Sequence, residues 1–341
     1  MNCPNCGQAV WPGDNFCEAC SAELSPAVTS GDQPAAVAGC PNCTGSVISA
    51  DGYCESCGYK VPSGNDHVEL KLDLVAGVTD RGLRHTRNED AMALATAQAV
   101  SGPVALAVVC DGVSTSSNPD EASQAASQAA VQVLLAAVRS NGDLADASSR
   151  AVRAAQRALS ELADAGRLHA NAPSATFVSA VVTTTAVTVC WLGDSRAYWI
   201  DAITPDSSKQ LTVDDSVAQE LIATGRLTEA EALASPHGHV VTGWIGADAG
   251  DAKPHVAVFA PPGHGAVLLC SDGLWNYEPD PAALAAMTLP GAVADPLGAS
   301  AALVEFAIDA GGSDNITVVL IPWPPRTVAS PDDTSQLAAT T

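Results

Sequence analysis

Two apolar runs in this chain end on a carboxylate. Ala107 to Cys110 drives into Asp111-Gly112, and Val267 to Ser271 drives into Asp272-Gly273. A third carboxylate, Asp314, stands just before the strand-like run Ile316 to Ile321. An unpaired carboxylate inside a core is costly, so such a group is paired with a cation or bound to a metal. Three of them, at the ends of three apolar runs, can converge on one edge of a core. Ligation by oxygen alone points to magnesium or manganese, and a polynuclear metal site is the expectation.

A different metal chemistry occupies the N-terminal segment. Cys3-x-x-Cys6 and Cys17-x-x-Cys20 are separated by ten residues, and the pattern returns with a period of 37 as Cys40-x-x-Cys43 and Cys54-x-x-Cys57. Each Cys-x-x-Cys is a tight turn that offers two thiolates to one ion, and two turns complete a closed tetrahedral site of four cysteines. Two structural Zn²⁺ are therefore expected, and metal binding would supply the folding free energy of so short a segment. The arrangement resembles a double zinc ribbon, with ribbons at 1–23 and 40–60, a flexible Ala/Ser/Pro/Gly spacer at 24–39 and a second linker at 61–67. Residues 1–66 carry seven acidic side chains against one lysine, Lys60. That balance favours a protein partner for docking or regulation over a nucleic acid.

The loop Asp80 to Ala91 gathers Arg81, Arg84, His85 and Arg87 with Asp80, Glu89 and Asp90 in an otherwise acidic chain. Guanidinium forks suit a dianionic phosphoryl group. A solvated loop of paired charges is the other reading, and this segment alone leaves both open.

The elements that must position these residues follow from periodicity. Val68, Leu70, Leu72 and Leu74 alternate as in a half-buried strand. Asn118-Pro119-Asp120-Glu121 marks a helix start, with Asn118 as N-cap and Glu121 closing a capping-box-like contact. That helix runs to about Ser140 and stops at Asn141-Gly142. A second spans about Leu144 to Ala165 with Gly166 as its cap. Ser174 to Thr183, Ala186 to Trp191 and Tyr198 to Ile200 read as strands. Strands with helices collected in blocks make an α+β domain. Thr228-x-x-Glu231 starts a short helix that Ser235-Pro236 ends. His237 and His239 belong to a solvated loop, and Trp244 packs. Cys110, Cys190 and Cys270 are core residues. Pro322 to Thr341, with four prolines and no apolar period, reads as a disordered tail.

Six ordered stretches carry a further resemblance: Asp80 to Ala91, CDGV with its following DEAS, GDSR, LTVDDS, CSDGLW and GGSDNITVV. Their order is similar to that of the metal-dependent protein phosphatases of type 2C (PPM, bacterial type). The resemblance implies, over 68–321, a central antiparallel β-sandwich flanked by helices (αββα). It also implies two Mg²⁺ or Mn²⁺ at one end and phosphoserine or phosphothreonine proteins as substrates. On that resemblance Asp111 bridges both ions, the Gly112 carbonyl completes one, and Asp272 and Asp314 bind the other. Glu89 and Asp90 hold water on the ions, and Asp194 with Asp272 forms a loosely held third site. Two ions ~4 Å apart would acidify a bridging water for in-line attack on phosphorus. The chain departs from the family where the phosphate-gripping arginine falls on His85, so Arg84, His85 or Arg87 fills that role. Val113-Ser114-Thr115 replaces a glycine-rich turn, and Asp215 stands where histidine is frequent.

The formal charge of −23 argues against nucleic acid or anionic lipid as a partner. No apolar run approaches the ~20 residues of a membrane span. A metal motif beginning at Cys3 leaves no room for a signal peptide, which places the protein in the cytoplasm. The expected function is an active Ser/Thr phosphatase acting on targets of Ser/Thr kinases, with ribbons for docking or regulation. The alternative is an inactive phosphatase-fold scaffold that binds phosphoproteins, and retention of Asp90, Asp111, Asp272 and Asp314 favours the enzyme.

Overall fold

The computed structural model describes residues 43, 47, 54–58, 61, 64–165, 171–228, 231, 232, 235, 240–250, 253–325 and 336–340. The chain divides into two units, Met1–Tyr59 and Lys60–Thr341. In the first, the thiols of Cys43, Cys54 and Cys57 lie within 4.8 Å of one another. The turn that brings Cys54 and Cys57 together is closed by the Gly58 amide on the Cys54 carbonyl at 2.8 Å. Cys3, Cys6, Cys17, Cys20 and Cys40 lie outside the described residues, as do most of the ribbon and spacer boundaries.

The second unit is a sandwich of two antiparallel sheets. Its strands are β1 (His67–Leu72), β2 (Val75–Asp80), β3 (Asp90–Ala99), β4 (Gly102–Asp111), β5 (Ser174–Ala175), β6 (Phe177–Val182) and β7 (Val187–Leu192). There follow β8 (Arg196–Asp201), β9 (Lys209–Gln210), β10 (Ile245–Gly246), β11 (His255–Phe259), β12 (Gly265–Cys270), β13 (Ile316–Trp323) and β14 (Gln336–Ala339). One sheet runs β1-β2-β13-β12-β8-β9 and the other β11-β7-β6-β4-β3-β14, with β5 and β10 as a separate pair.

Helices α1 (Pro119–Arg139) and α2 (Leu144–Ala165) cover the second sheet. The first is covered by α5 (Pro281–Thr288), α6 (Gly291–Ala294) and α7 (Pro296–Asp309), the last two packed on β13 or β2. Between the blocks lie α3 (Val217–Ala223) and the one-turn α4 (Asp272–Trp275). Because helices cap both outer faces, the central strands are buried on both sides and read as unbroken apolar runs. In β4, Val104, Leu106, Val108 and Cys110 meet the helices, while Ala105, Ala107 and Val109 meet the opposite sheet. Ala122, Ala126 and Ala130 form a small-residue stripe on α1, which lets the helix lie close on β3 and β4. Among the described residues no helix is long and apolar enough to cross a membrane.

Three expectations need correction. Asn118 precedes α1 in the left-handed region (φ 48°), and its side chain caps no backbone amide. It donates instead to the Glu121 carboxylate at 3.1 Å. The linker expected at 61–67 is docked at its end: the Asp66 carbonyl accepts from the Arg81 amide at 2.7 Å, and its carboxylate pairs with Arg81 at 3.3 Å. The tail expected to be disordered over 322–341 begins inside β13, and 336–339 form β14 along β3. An open edge on β3 offers a row of unpaired backbone groups, and Gln336-Leu337-Ala338-Ala339 fills it. Thr340 then bonds Met92 through backbone and hydroxyl, while Gln124 and Gln128 of α1 donate to its carbonyl at 3.2 and 3.0 Å.

Ending the chain at Pro325 removes that edge strand. The expected cost is ~1–3 kcal/mol, or roughly 3–10 °C in Tm. Hydrogen exchange should show lost protection concentrated at Ala93–Thr96; unchanged protection there contradicts the pairing.

Candidate metal centre

Strand parity decides which side chains meet at one end of the sandwich. Met92 and Leu94 of β3 and Ala107 and Val109 of β4 face the opposite sheet, so Asp90 and Asp111, in step with them, do too. The β3–β4 register sets the two side by side. From the other sheet, Leu269 and Val319 face inward, which aims Ser271 and Thr317 the same way. Both hydroxyls donate to Asp90 Oδ2 at 2.7 Å. Asp272 follows Ser271 at the start of α4, Asp314 lies two residues before β13, and Asp194 sits in the turn between β7 and β8.

These five carboxylates act on one another. Burial pushes Asp90 up to about 7, against the bonds from Ser271 and Thr317, and the negative charges of Asp314 and Asp272 add to the rise. Asp272 is likewise pushed up to about 7 by burial and Asp314, partly offset by bonds from Asn276 and Asp111. Asp111 is raised well above the usual carboxylate range by burial, then by Asp90, Asp272, Asp194 and Asp314. Asp194 is raised by burial and Asp272. Among the described residues, Asp90 Oδ1 and Asp272 Oδ1 are buried oxygens with no hydrogen-bond partner. Crowded acceptors whose repulsion Arg196 offsets only in part are what a divalent cation neutralises, so the donor set fits Mg²⁺ or Mn²⁺.

Glycine is required beside it. A Cβ on Gly112 would lie 2.3 Å from the Pro119 carbonyl oxygen and 2.7 Å from that of Glu89. The Gly112 amide in turn donates to the Glu89 carbonyl at 3.0 Å. Gly82, at φ +68°, leaves no room for a side chain beside the Asp314 carbonyl.

The basic loop forms the rim. Glu89 accepts from Arg87 at 3.0 Å and from Ser114 at 2.6 Å. Arg87 also pairs with Asp120 at 3.3 Å. His85 places Nε2 3.1 Å from Asp314 Oδ1 and Nδ1 4.0 Å from Glu89 Oε2. Arg84 is exposed and forms no ion pair with a described residue. Asn315 anchors this loop by accepting from the Glu89 amide at 2.7 Å and donating to the Arg81 and Arg87 carbonyls at 2.8 and 3.1 Å.

The segment from Asp214 to Gly246 starts against the centre. Asp214 takes a fork of bonds from the buried Arg196 at 2.7–3.1 Å, and that guanidinium lies 3.8 Å over the Trp275 ring. Asp215 accepts from the Gly193 amide at 3.0 Å and pairs with His255 at 2.9 Å. Thr228 and Glu231 bond reciprocally as the capping-box pattern predicts. Trp244 donates to Asp248 at 3.2 Å, whereas His237 and His239 lie outside the described residues.

Sequence reasoning missed the polar side chains under the carboxylates. Asn88 donates to Thr79 at 2.9 Å, Thr79 shares a 2.7 Å bond with Thr317, and Thr317 donates to Asp90. Since Thr317 spends its proton on Asp90, Thr79 is the donor of the middle bond. Thr176 interrupts the predicted strand Ser174–Thr183. Its hydroxyl accepts from the Asp111 amide at 3.2 Å and shares a 2.7 Å bond with Ser195. The available signal was a hydroxyl at an inward position of an apolar strand, as at Ser271 and Thr317.

Known proteins resemble this chain in both of its parts. Residues 81–306 match the family model described as Protein phosphatase 2C. Residues 3–58 match that of the Double zinc ribbon. Protein phosphatase PhpP of Streptococcus pneumoniae is 36% identical over 130 residues, 38% of this chain and 50% of that protein. The chain spans about half the length of the curated relatives it matches. The crystal structure of the Mycobacterium tuberculosis serine/threonine phosphatase PstP/Ppp is 26% identical, with a TM-score of 0.60 over 75% of this chain and 99% of that one. A structure of the PstP catalytic domain with two manganese ions is 26% identical, with a TM-score of 0.56 over 73% and 96%.

Raised carboxyl values give the cation-free fold a definite pH response. Asp90 and Asp272 move from 3.8 to about 7, so the folded chain holds protons that the unfolded chain releases. Their stabilisation is complete below about pH 4 and is lost as pH rises through about 7. Bound Mn²⁺ replaces those protons, so the gain in Tm on adding Mn²⁺ should grow between about pH 5 and about pH 8. An equal gain at both would contradict it.

Proposed function

The chain belongs to the protein phosphatase 2C family, and from that premise we propose that it hydrolyses phosphoserine and phosphothreonine in proteins with two Mg²⁺ or Mn²⁺ ions. The observation that carries the reading is the convergence of Asp90, Asp111, Asp194, Asp272 and Asp314 at one end of the sandwich, with buried oxygens left open. When bound, the ions would acidify a water for in-line attack on phosphorus and draw charge off the phosphoryl oxygens.

The chain's own residues divide the remaining work. Asp111, central to the cluster, would hold both ions together with the Gly112 carbonyl, Asp272 and Asp314, and Asp194 with Asp272 would hold a third. Asp90, held at Oδ2 by Ser271 and Thr317, orients water through its open Oδ1, and Glu89, held at Oε1 by Arg87 and at Oε2 by Ser114, does so through the lone pairs those bonds leave. Arg84 grips the phosphate. Arg87 is engaged by Glu89 and Asp120 and His85 by Asp314, which leaves the Arg84 fork for a dianion.

The ribbons serve as a docking or regulatory module for a protein partner. Three convergent thiols of the second repeat support a zinc site there, for which the sequence spacing offers Cys40 as the fourth ligand. Eight metal-binding thiolates suit a reducing compartment such as the cytoplasm, and the substrates suit targets of Ser/Thr kinases.

Phosphate release from a phosphothreonine peptide should require Mn²⁺ or Mg²⁺ and vanish in Asp111→Asn; turnover in chelator, or in that variant, overturns the assignment. Arg84→Met should lower kcat/KM about 10–100-fold, mainly through KM, as expected for a lost charged hydrogen bond. An unchanged KM would move the grip to Arg87 or His85.

A further inference from the structure

We propose that His85 is a nitrogen ligand of the divalent-cation centre, binding through Nε2 beside Asp314 and giving the centre a preference for Mn²⁺ over Mg²⁺. The proposal rests on the reading of the carboxylate cluster as a cation site and adds to it an imidazole on the rim.

Distance and orientation carry it. His85 Nε2 lies 3.1 Å from Asp314 Oδ1. Two neighbouring ligands of one octahedral ion, each bound at about 2.1 Å and a right angle apart, are themselves about 3 Å apart. The pair thus already has the spacing of adjacent corners of one coordination sphere. The other ring nitrogen faces a carboxylate, with Nδ1 4.0 Å from Glu89 Oε2. At that distance Nδ1 makes no direct hydrogen bond, so Nε2 is the ring nitrogen nearer a carboxylate of the cluster and the one placed to bind.

The backbone holds the ring there. Arg81 donates to the His85 carbonyl. Asn315 grips the carbonyls of Arg81 and Arg87 on either side, and the Leu83 amide bonds the Gly312 carbonyl at 2.8 Å. This loop is therefore pinned to the segment that carries Asp314, and His85 and Asp314 move as one piece. Neutral imidazole is a poor ligand for Mg²⁺ and a better one for transition ions, so an otherwise all-oxygen site gains selectivity.

The test is electron spin echo envelope modulation of Mn²⁺ bound to the full chain, prepared once with ¹⁵N confined to histidine and once unlabelled. Direct ligation predicts nitrogen modulation that changes with the label and disappears in His85→Gln and His85→Asn. Mn²⁺ affinity in these variants should fall on the order of tenfold, with Mg²⁺ affinity nearly unchanged. Mn²⁺ bound in an Asp111-dependent manner without histidine modulation, or modulation that persists without His85, overturns the proposal and leaves the carboxylate site standing. Mn²⁺ binding that fails, or that ignores Asp111→Asn, overturns both. Absence of label-sensitive modulation in the wild-type chain overturns the proposal even if the variants do not fold.

Discussion

Mutual repulsion among buried carboxylates is the constraint on which this domain is arranged. Asp90, Asp111, Asp194 and Asp272 are held at the end of a sandwich whose interior is otherwise apolar, mostly alanine, valine and leucine with Met92, Ile321 and three tryptophans, and Asp314 stands at its mouth. A low-dielectric setting magnifies both their repulsion and the attraction of any cation placed among them. On the proposed reading, the second outweighs the first once a cation is bound. Hydroxyls on neighbouring strands hold one oxygen of Asp90 while its other oxygen stays open. Two glycines, Gly82 and Gly112, let the backbone come close enough to bring the carboxylates together.

The sandwich is what makes so crowded a site geometrically definite. Antiparallel pairing of β3 with β4 fixes Asp90 against Asp111, and pairing of β12 with β13 sets Ser271 and Thr317 beneath them. A slip of one residue in either register would turn these side chains toward the helices. Such a slip would also expose the apolar partners that now fill the layer between the sheets, so hydrophobic packing and the placement of the carboxylates depend on the same register.

Much of this was legible in the sequence because burial leaves a pattern. The α+β class, both long helices, the buried cysteines and the carboxylates at strand ends follow from apolar runs and their terminators. The docked end of the linker and β14 did not follow. Asp66 is fixed by a distant arginine, and a four-residue edge strand is too short for a period to emerge. The hydroxyl network was missed because Thr79, Thr176, Ser271 and Thr317 look like ordinary strand residues until the sheets are stacked. Departure from the family's pattern also has local reasons: Ser114, in place of a turn glycine, donates to Glu89, and Asp215, in place of a histidine, joins Gly193 to His255.

The central claim is that the open oxygens at the end of the sandwich exist to hold divalent cations. An anomalous difference map at the manganese edge, from crystals soaked in Mn²⁺, tests it most directly. Two peaks about 4 Å apart that share Asp111 are predicted. A map with no manganese at Asp111, from crystals in which Asp90, Asp111, Asp272 and Asp314 still converge, would contradict the account.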